Sequence, residues 1–245
     1  MSRFSTKKPI QYGPSETFTW TYTKLRDWLS CPRKYNNARN KVFTEKKSNE
    51  QTDGESIHAA FQRRVNTGQQ MPEAYRHLND WGNEAARLLH PLQITVCEKE
   101  IALTRDLTPT GYWDNNVWTR MKIDLVKLMP NKSGKHMVAL LVDYKTGKPK
   151  DDIIQLAIYS QGLFSTFKDL IGIRAEYWWT QIKDKSHEIF ERSDMDELWA
   201  ELRPKLTEME RAHIENDFPA KKNGLCREYC PDWTCEFNGK KGKVG

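Results

Sequence analysis

The first periodic run of apolar residues lies near the N-terminus, in the segment TYTKLRDWLSCPRKY. Leu25, Trp28 and Leu29 occupy positions i, i+3 and i+4, which is typical of a helix with one buried face. Pro32 discourages continuation of that helix. The pattern therefore predicts a short helix with Cys31 at or near its end.

Two further helices are predicted before the first strand. In DGESIHAAFQRRV, Ile57, Phe61 and Val65 form one apolar stripe, and His58 is displaced from that stripe by one residue. The segment EAYRHLNDWGNEAARLLH also has helical spacing. We expect a helix over residues 73–90, which the following proline ends.

The composition then changes to one that favours strands. The segments LQITVCEKEIALT, YWDNNVWTRM, KIDLVKLM and HMVALLVDY are rich in β-branched and aromatic residues, and proline or an Asn-Lys-Ser-Gly turn separates the later ones. The simplest interpretation is a β-meander. Trp113, Trp118, Trp178 and Trp179 fall in predicted strands, where they are core or groove-wall residues, and base stacking stays open.

The last third of the chain alternates helix and strand patterns. Ile154, Ile158 and Leu163 indicate a helix packed on the sheet, RAEYWWTQIKD and SHEIFERS indicate a strand pair, and DMDELWAELRPKLTEMERAHIEND indicates a long amphipathic helix containing Pro204. The fold class is therefore α/β, a mixed β-sheet core flanked by helices, with an N-terminal helical elaboration and a Cys-rich C-terminal end.

The domain prediction follows from these patterns and from the polar ends of the chain. Residues 1–18 are predicted to be a flexible arm, residues 19–236 a single domain, and residues 237–245 a basic tail. No internal repeat is visible.

Composition and charge narrow the function classes. The 245 residues include 39 Lys and Arg against 33 Asp and Glu, a net charge of +6 that suits a polyanionic partner. No apolar stretch is typical of a membrane span or a secretion signal, so we expect a cytoplasmic protein without membrane contact. In that reducing compartment the five cysteines favour metal binding over disulfides.

Charged residues at two predicted strand ends are the main candidates for chemistry. Asp124 lies in KIDLV, and Asp143 and Lys145 project from one face of the strand LVDYK, with Tyr144 on the other. Converging carboxylates and the Tyr144 backbone carbonyl could hold magnesium or manganese. His58 would add a nitrogen that suits manganese.

Such a site could hydrolyse a phosphodiester, with Lys145 orienting the attacking hydroxide or neutralising the oxyanion. The alternative for the same residues is structural. Asp143 and Lys145 would then be an ion pair at a strand end, and His58 a capped or core histidine.

The order and spacing of GESIHAAF, KIDLV, LVDYKTG and the Gln-x-x-x-Tyr of QLAIY resemble the PD-(D/E)XK nuclease superfamily, specifically its RecB-like branch. The resemblance implies a restriction-endonuclease-like fold. It also implies that the metal ligands are His58, Asp124 and Asp143. Lys145 is the implied catalytic lysine. The implied DNA-contacting or site-ordering residues are Gln155 and Tyr159.

The chain departs from that branch before Asp124, where Met121 and Lys122 stand in place of the usual glycine. A glutamate from an earlier strand sometimes contributes in the superfamily. Glu98 and Glu100 are the residues available for that part, and neither is assigned to it.

Four cysteines resemble the iron–sulfur staple of CRISPR-associated RecB-like exonucleases and AddB-type nucleases. They are Cys31, Cys226, Cys230 and Cys235. The resemblance implies a 4Fe-4S cluster that ties the N-terminal helix to the C-terminal end. The spacing here is C-x3-C-x4-C where the family more often has C-x2-C-x5-C, and zinc bound by four cysteines is the alternative. Cys97, in a predicted strand, is interpreted as a small core residue.

Basic residues near these motifs are candidate phosphate contacts. Arg33 and Lys34 follow the first cysteine, and Arg63 and Arg64 follow the His58 motif. The alternative for each of them is a solvated surface charge.

The leading functional hypothesis is a Mg- or Mn-dependent DNA exonuclease that prefers single-stranded ends and acts in recombination, repair or phage and mobile-element DNA processing. Two alternatives stay open. One is a non-catalytic or partner-dependent DNA-binding subunit of a helicase, recombinase or CRISPR adaptation complex, and the other is a structure-specific endonuclease. The sequence contains no P-loop motif for ATP-driven unwinding.

Overall fold

The computed structural model of the chain describes residues 18–42, 49–89, 93–149 and 152–240. The predicted N-terminal arm, apart from Phe18, and the last five residues of the predicted basic tail lie outside the described residues. Within the described part of the chain, the longest helices are too polar to serve as membrane spans.

Six α-helices, one 3₁₀ helix and six strands make up the described secondary structure. In chain order they are α1 (Tyr22–Ser30), α2 (Pro32–Arg39), α3 (Asn49–Thr67), the 3₁₀ helix (Glu73–Leu78), α4 (Asn79–Arg87), β1 (Ile94–Leu103), β2 (Pro109–Thr110), β3 (Thr119–Pro130), β4 (Met137–Lys145), α5 (Ile154–Thr166), β5 (Leu170–Trp179), β6 (Asp184–Glu191) and α6 (Asp194–Glu215).

The chain divides into two compact units, which are described separately. The sheet unit comprises Lys46–Trp199, and the terminal unit comprises Met1–Glu45 together with Ala200–Gly245. The single domain over residues 19–236 stays a prediction.

The sheet unit is built on one six-stranded sheet of order β2-β1-β3-β4-β5-β6. All neighbouring strands are antiparallel except β4 and β5, which are parallel and are joined through α5. A parallel pair needs such a crossover, because the chain must return to the same end of the sheet. The mixed α/β class predicted from the sequence is confirmed, and β1, β3 and β4 form the expected meander.

The apolar stripe of α3 packs into the core of the sheet unit. Ile57, Phe61 and Val65 are all buried, as their helical spacing predicts, and they share one cluster with Tyr144 and Trp178 from the sheet. The Phe61 and Tyr144 rings stack with their centroids 4.3 Å apart. This packing fixes the position of α3 over β4, and so the position of the residue next to the stripe, His58.

Helix α5 is buried around most of its circumference, as expected for a helix that crosses between parallel strands. At Gly162 an added Cβ would lie 2.1 Å from the Met121 sulfur of β3. A larger residue at this position would therefore require the Met121 side chain to move.

Two element predictions are wrong in detail. The segments YWDNNVWTRM and KIDLVKLM are not two strands, because β3 is one continuous strand and the residues before it form a turn that leaves Trp113 78% exposed. The Asp114 carboxylate accepts hydrogen bonds from the Gly111 amide at 2.7 Å and the Thr110 hydroxyl at 2.8 Å, which favours the turn over a strand.

The helix predicted over residues 73–90 is a 3₁₀ helix followed by α4. Tyr75 has φ −119° and ψ 20°, which interrupts a regular helical path.

In the terminal unit, Cys31 ends α1 and begins α2, as its place before a proline predicts. From Asn216 to Lys240 the chain consists of turns and irregular segments. The Arg33 guanidinium of α2 donates to Asp232 at 2.7 Å and to Thr234 at 2.9 Å, and so attaches these turns to α2. Helix α6 continues through Pro204.

Candidate active site

The candidate site lies where β3 and β4 separate. Their last paired residues are Leu125 and Val142. At the next residue of β3, the carboxylate of Asp124 accepts a hydrogen bond from the backbone of β4. Its Oδ2 accepts the Tyr144 amide at 2.7 Å, and its Oδ1 lies 3.1 Å from His58 Nδ1. Asp124 is therefore fixed by one strand and one helix at the same time.

His58 occupies the half-buried position that its place beside the α3 stripe predicts. Burial alone would lower the pKa of its imidazole, but the hydrogen bond and charge of Asp124, with the charges of Asp143 and Glu98, outweigh burial and raise it. The surroundings of His58 are thus strongly negative. An imidazole that donates from Nδ1 to a carboxylate keeps Nε2 as a possible metal-binding atom when it is neutral.

Glu98 joins this group from β1. It faces Asp124 across the β1–β3 pair, at the one position within the ladder where regular pairing is interrupted, and its φ is +54°. A non-glycine residue in this region of φ is strained, and such strain tends to occur at functional sites. Ligand atoms of His58, Glu98 and Asp124 lie within 4.8 Å of one another, and no other such group of His, Cys, Asp or Glu occurs among the described residues.

Asp143 lies beside this group and is almost fully buried, at 4% exposed. Burial, followed by the charge of Asp124, raises the pKa of its carboxyl to about 6, although Lys145 acts in the opposite direction. Lys145 Nζ is 2.5 Å from Asp143 Oδ2. The Asp143 Oδ2 is therefore ion-paired with the lysine ammonium.

Gln155, in the first turn of α5, connects the members of this part of the site. Its Nε2 donates to Asp143 Oδ1 at 3.0 Å and to the Tyr159 hydroxyl at 2.9 Å, and its Oε1 accepts from Lys145 Nζ at 2.8 Å. The amide holds the lysine and the aspartate in one arrangement. Of the two roles implied for Gln155 and Tyr159, this geometry favours ordering the site.

Two contributors were missed or left unassigned by the sequence. Glu98 is in the ligand group and Glu100 is not. The positive φ of the backbone at Glu98 accounts for this difference. Tyr177 of β5 lies under Lys145, with the ammonium nitrogen 5.0 Å from the ring centroid. Alternation along β5 could have suggested Tyr177, since β4 and β5 pair Asp143 with it directly.

The residues present fit a hard divalent cation. The ligand atoms of two carboxylates and one imidazole, those of Glu98, Asp124 and His58, converge on a small volume, and the charge of Asp124 reaches the buried Asp143 carboxylate. Oxygen-rich sites with an imidazole suit magnesium or manganese. Asp143 is not a member of the 4.8 Å group, so its role as a metal ligand and that of the Tyr144 carbonyl stay predictions.

Two of the predicted phosphate contacts, Arg33 and Arg64, have partners within the protein, and their contact with DNA stays a prediction. Arg33 binds Asp232 and Thr234, and Arg64 binds the Gly68 carbonyl and Asn83. Because both guanidinium groups are engaged within the protein, each has a structural role that accounts for it. The partners of Arg33 and Arg64 could not be identified from sequence spacing, because they lie in turns or in distant parts of the sequence. Arg63 is exposed and stays a predicted DNA contact.

The four terminal-unit cysteines line one pocket. The Cys31 sulfur accepts the Lys221 amide at 3.4 Å and the Cys226 sulfur accepts the Asn223 amide at 3.3 Å. Burial raises the pKa of Cys230, and an Asp232 backbone hydrogen bond opposes that rise. Amide donors directed at sulfur favour thiolates, which are the metal-binding form. Burial also raises the pKa of the Cys97 thiol, to about 11, and Cys97 packs against the core cluster of the sheet unit, in agreement with its interpretation as a core residue.

A mixed sheet that carries carboxylates, a lysine and a glutamine at a strand fork suits metal-assisted hydrolysis of a phosphodiester. The family profile of the PD-(D/E)XK nuclease superfamily matches residues 19–235, and the chain belongs to that superfamily.

Two solved structures are similar at low identity. A protein from Eubacterium rectale described as a candidate exonuclease has 13% identity, 85% coverage of both chains and a TM-score of 0.49. The protein SSO0001 has 12% identity, covers 92% of this chain and 90% of its own, and has a TM-score of 0.39. The family assignment rests on the profile and not on these structures. No protein with a curated description matches the sequence.

Proposed function

We propose that the protein is a Mg- or Mn-dependent deoxyribonuclease of the RecB-like branch that degrades DNA from single-stranded ends. The observation that carries the proposal is the adjacency of two groups. Asp143, Lys145 and Gln155 form a buried hydrogen-bonded set, and His58, Glu98 and Asp124 form a ligand group next to it.

The assigned roles follow from the contacts. His58, Asp124 and Asp143 are the proposed metal ligands, and Glu98 is added to them because its carboxylate lies in the same group. A bound divalent ion supplies an activated water and offsets charge on the phosphodiester. The Lys145 ammonium contacts Asp143 and Gln155, and from there it can stabilise negative charge that develops on the phosphodiester.

Positioning is the second contribution of the protein. Gln155 holds the Lys145 ammonium by a hydrogen bond, and the Tyr177 ring lies below it. A lysine restrained on two sides keeps its charge at one place, so little reorganisation is needed when charge develops on the substrate. The Tyr144 amide restrains Asp124 in the same way.

For the cysteines we propose a 4Fe-4S cluster held by Cys31, Cys226, Cys230 and Cys235. The four cysteines line one pocket, as a shared metal centre requires. Four thiolates can hold a cluster that places iron and sulfide between them, and zinc bound by the same four cysteines is the alternative.

The nuclease assignment is tested with purified protein and three substrates, which are a linear single strand labelled at either end, a circular single strand and a blunt duplex. We expect shortening of the linear strand with added Mn²⁺ or Mg²⁺, no reaction in chelator, and intact circles. Mononucleotide or short products that accumulate from one labelled end would also give the polarity.

The same assay separates the two alternatives. Cleavage of the circle would show that the same site acts as an endonuclease and not as an exonuclease. Binding of DNA without cleavage under every metal condition would favour the partner-dependent DNA-binding subunit, and addition of a helicase or recombinase partner would then be required for any activity.

A further inference from the structure

An exposed aromatic pair lies in the turn between β2 and β3, outside the residues assigned above. Tyr112 and Trp113 meet edge to face with their centroids 5.1 Å apart, and Trp113 is the most exposed large apolar side chain among the described residues. The turn is held by Asp114, through the Gly111 amide and the Thr110 hydroxyl. An aromatic pair displayed on a turn that hydrogen bonds hold in place is available for contact with a ligand.

A single arginine orders both rings. Arg120 Nε donates to the Tyr112 carbonyl at 2.6 Å. Its guanidinium carbon lies 5.2 Å from the Trp113 centroid and 5.8 Å from the Tyr112 centroid, within the range of a cation–π contact. The pair and the arginine therefore form one unit, which we name the Trp113 platform and define as Tyr112, Trp113 and Arg120.

The platform is connected to the candidate active site by β3. Arg120, Lys122 and Asp124 alternate along that strand and project from one face, while Met121 and Ile123 between them are buried. At about 3.3 Å per residue, Arg120 is some 13 Å along the strand from Asp124, a distance of a few nucleotides. Lys122, which pairs with Glu98, stands between them.

We propose that the Trp113 platform is a base-stacking subsite for an unpaired nucleotide of the DNA strand whose phosphate is hydrolysed at the neighbouring ligand group. The inference rests on the proposed function and names the form of its substrate. Trp113 offers an accessible ring face or edge to a base, and the Arg120 guanidinium beside it offers positive charge to a neighbouring phosphate.

Two features make a single strand the occupant. Bases inside a duplex are already stacked and present no free faces to a ring, whereas an unpaired nucleotide does. The charge around the platform is mixed, because Glu100 faces Lys122 across the β1–β3 pair. Stacking must then supply much of the affinity, and we expect the contribution of Trp113 to change little with salt concentration.

The test measures binding of labelled oligothymidylate by fluorescence anisotropy in chelator, where no cleavage occurs. We expect Trp113→Ala to weaken binding about 5- to 100-fold and Trp113→Phe to retain most of the affinity. On a fully abasic strand of the same length and charge, Trp113→Ala and the wild type should bind equally. Ile189→Ala, which removes an exposed apolar side chain from β6, is the matched control and should bind as the wild type does.

The outcomes separate the platform from the nuclease assignment. If the wild type binds and degrades single strands and Trp113→Ala does both equally well, the platform proposal is overturned and the nuclease assignment stands. An equal loss on thymidylate and abasic strands would also overturn stacking. If the wild type neither binds nor cuts any DNA with Mn²⁺ or Mg²⁺, the proposed function itself fails. A Trp113→Ala protein that loses a protein partner but binds DNA normally would assign the surface to protein contact instead.

Discussion

At the fork between β3 and β4 the candidate catalytic side chains lie on strands and helices and are held by other protein groups, whereas the C-terminal cysteines lie in turns. Asp143 has Lys145 and Gln155 as neighbours, and Asp124 has His58 and the Tyr144 amide. The segment of the C-terminal cysteines is attached mainly by side-chain hydrogen bonds such as the one from Arg33 to Asp232.

The difference predicts opposite consequences for mutation. The sheet site is already assembled by packing and hydrogen bonds, so a substitution there should remove activity and leave the fold intact. The turns around the cysteines bury few apolar residues, so the bound group should supply much of their stability. The four predictions that follow test this contrast, beginning with the largest effect.

Asp143→Asn should reduce DNA cleavage at least about 1,000-fold, because it removes a proposed metal-binding charge from the centre of the site. The free energy of unfolding should change by less than about 1 kcal/mol, since the substitution also removes the repulsion between Asp143 and Asp124 that raises the pKa of Asp143. Urea unfolding and initial cleavage rates measure the two effects. Asp169→Asn, an exposed carboxylate before β5, is the control.

Cys230→Ala should show the reverse behaviour in the terminal unit. We expect loss of the brown colour and of the absorbance near roughly 400 nm, together with a loss of at least about 3 kcal/mol in stability, because a cluster that binds the folded state stabilises it. Anaerobic purification, absorbance and thermal unfolding measure this. Cys97→Ala is the control and should keep its colour. A colourless wild type that contains stoichiometric zinc would show that the four cysteines bind zinc and not a cluster.

Gln155→Ala should lower the cleavage rate about 10- to 100-fold while leaving metal binding nearly unchanged, because the side chain positions Lys145 and Asp143. Gln161→Ala is a close control. It lies on the same helix, is equally buried and is hydrogen-bonded to Trp199 and Ser165, so it should cost stability without a specific loss of activity. Equal activity losses in the two variants would contradict a positioning role.

His213 should make the terminal unit sensitive to mild acid. Burial, followed by the charges of Arg39 and Lys24, lowers the pKa of His213 to about 4, and its Nδ1 accepts from Arg39 at 2.8 Å. Because the guanidinium can only donate, the ring proton is on Nε2, beside the Tyr35 hydroxyl.

The sign of the pH effect follows from the lowered pKa. Between pH 6.5 and about 4, the unfolded chain takes up a proton that folded His213 does not. The contribution of His213 to the free energy of unfolding is therefore fully present above this window and is lost as the pH falls through it. His213→Gln should reduce the difference in unfolding free energy between pH 7 and pH 5 by on the order of 1 kcal/mol, a value lowered for partial exposure. An unchanged difference would show that other groups cause it.

The sequence predicted the parts of the site that depend on regular periods. The stripe Ile57, Phe61 and Val65 placed His58 beside the core, and the two-residue period of β4 put Asp143 and Lys145 on one face. These predictions succeed because helix and strand geometry repeat along the chain.

What the sequence could not supply depends on backbone detail and on distant partners. The φ of +54° that brings Glu98 into the ligand group has no sequence signature for a glutamate. Arg64 looked available for DNA, but its partner Asn83 lies on α4. Trp113 was placed in a strand because aromatic residues favour strands, whereas the hydrogen bonds of Asp114 hold a turn.

Manganese binding tests the proposed catalytic centre most directly, and it is followed by the EPR signal of the free ion as protein is titrated in. We expect the wild type to bind Mn²⁺ and Asp124→Asn to bind it at least about ten-fold more weakly. Lys145→Ala removes no proposed ligand and should retain binding. If Asp124→Asn binds Mn²⁺ as tightly as the wild type does, the ion lies elsewhere and the proposed catalytic centre is wrong.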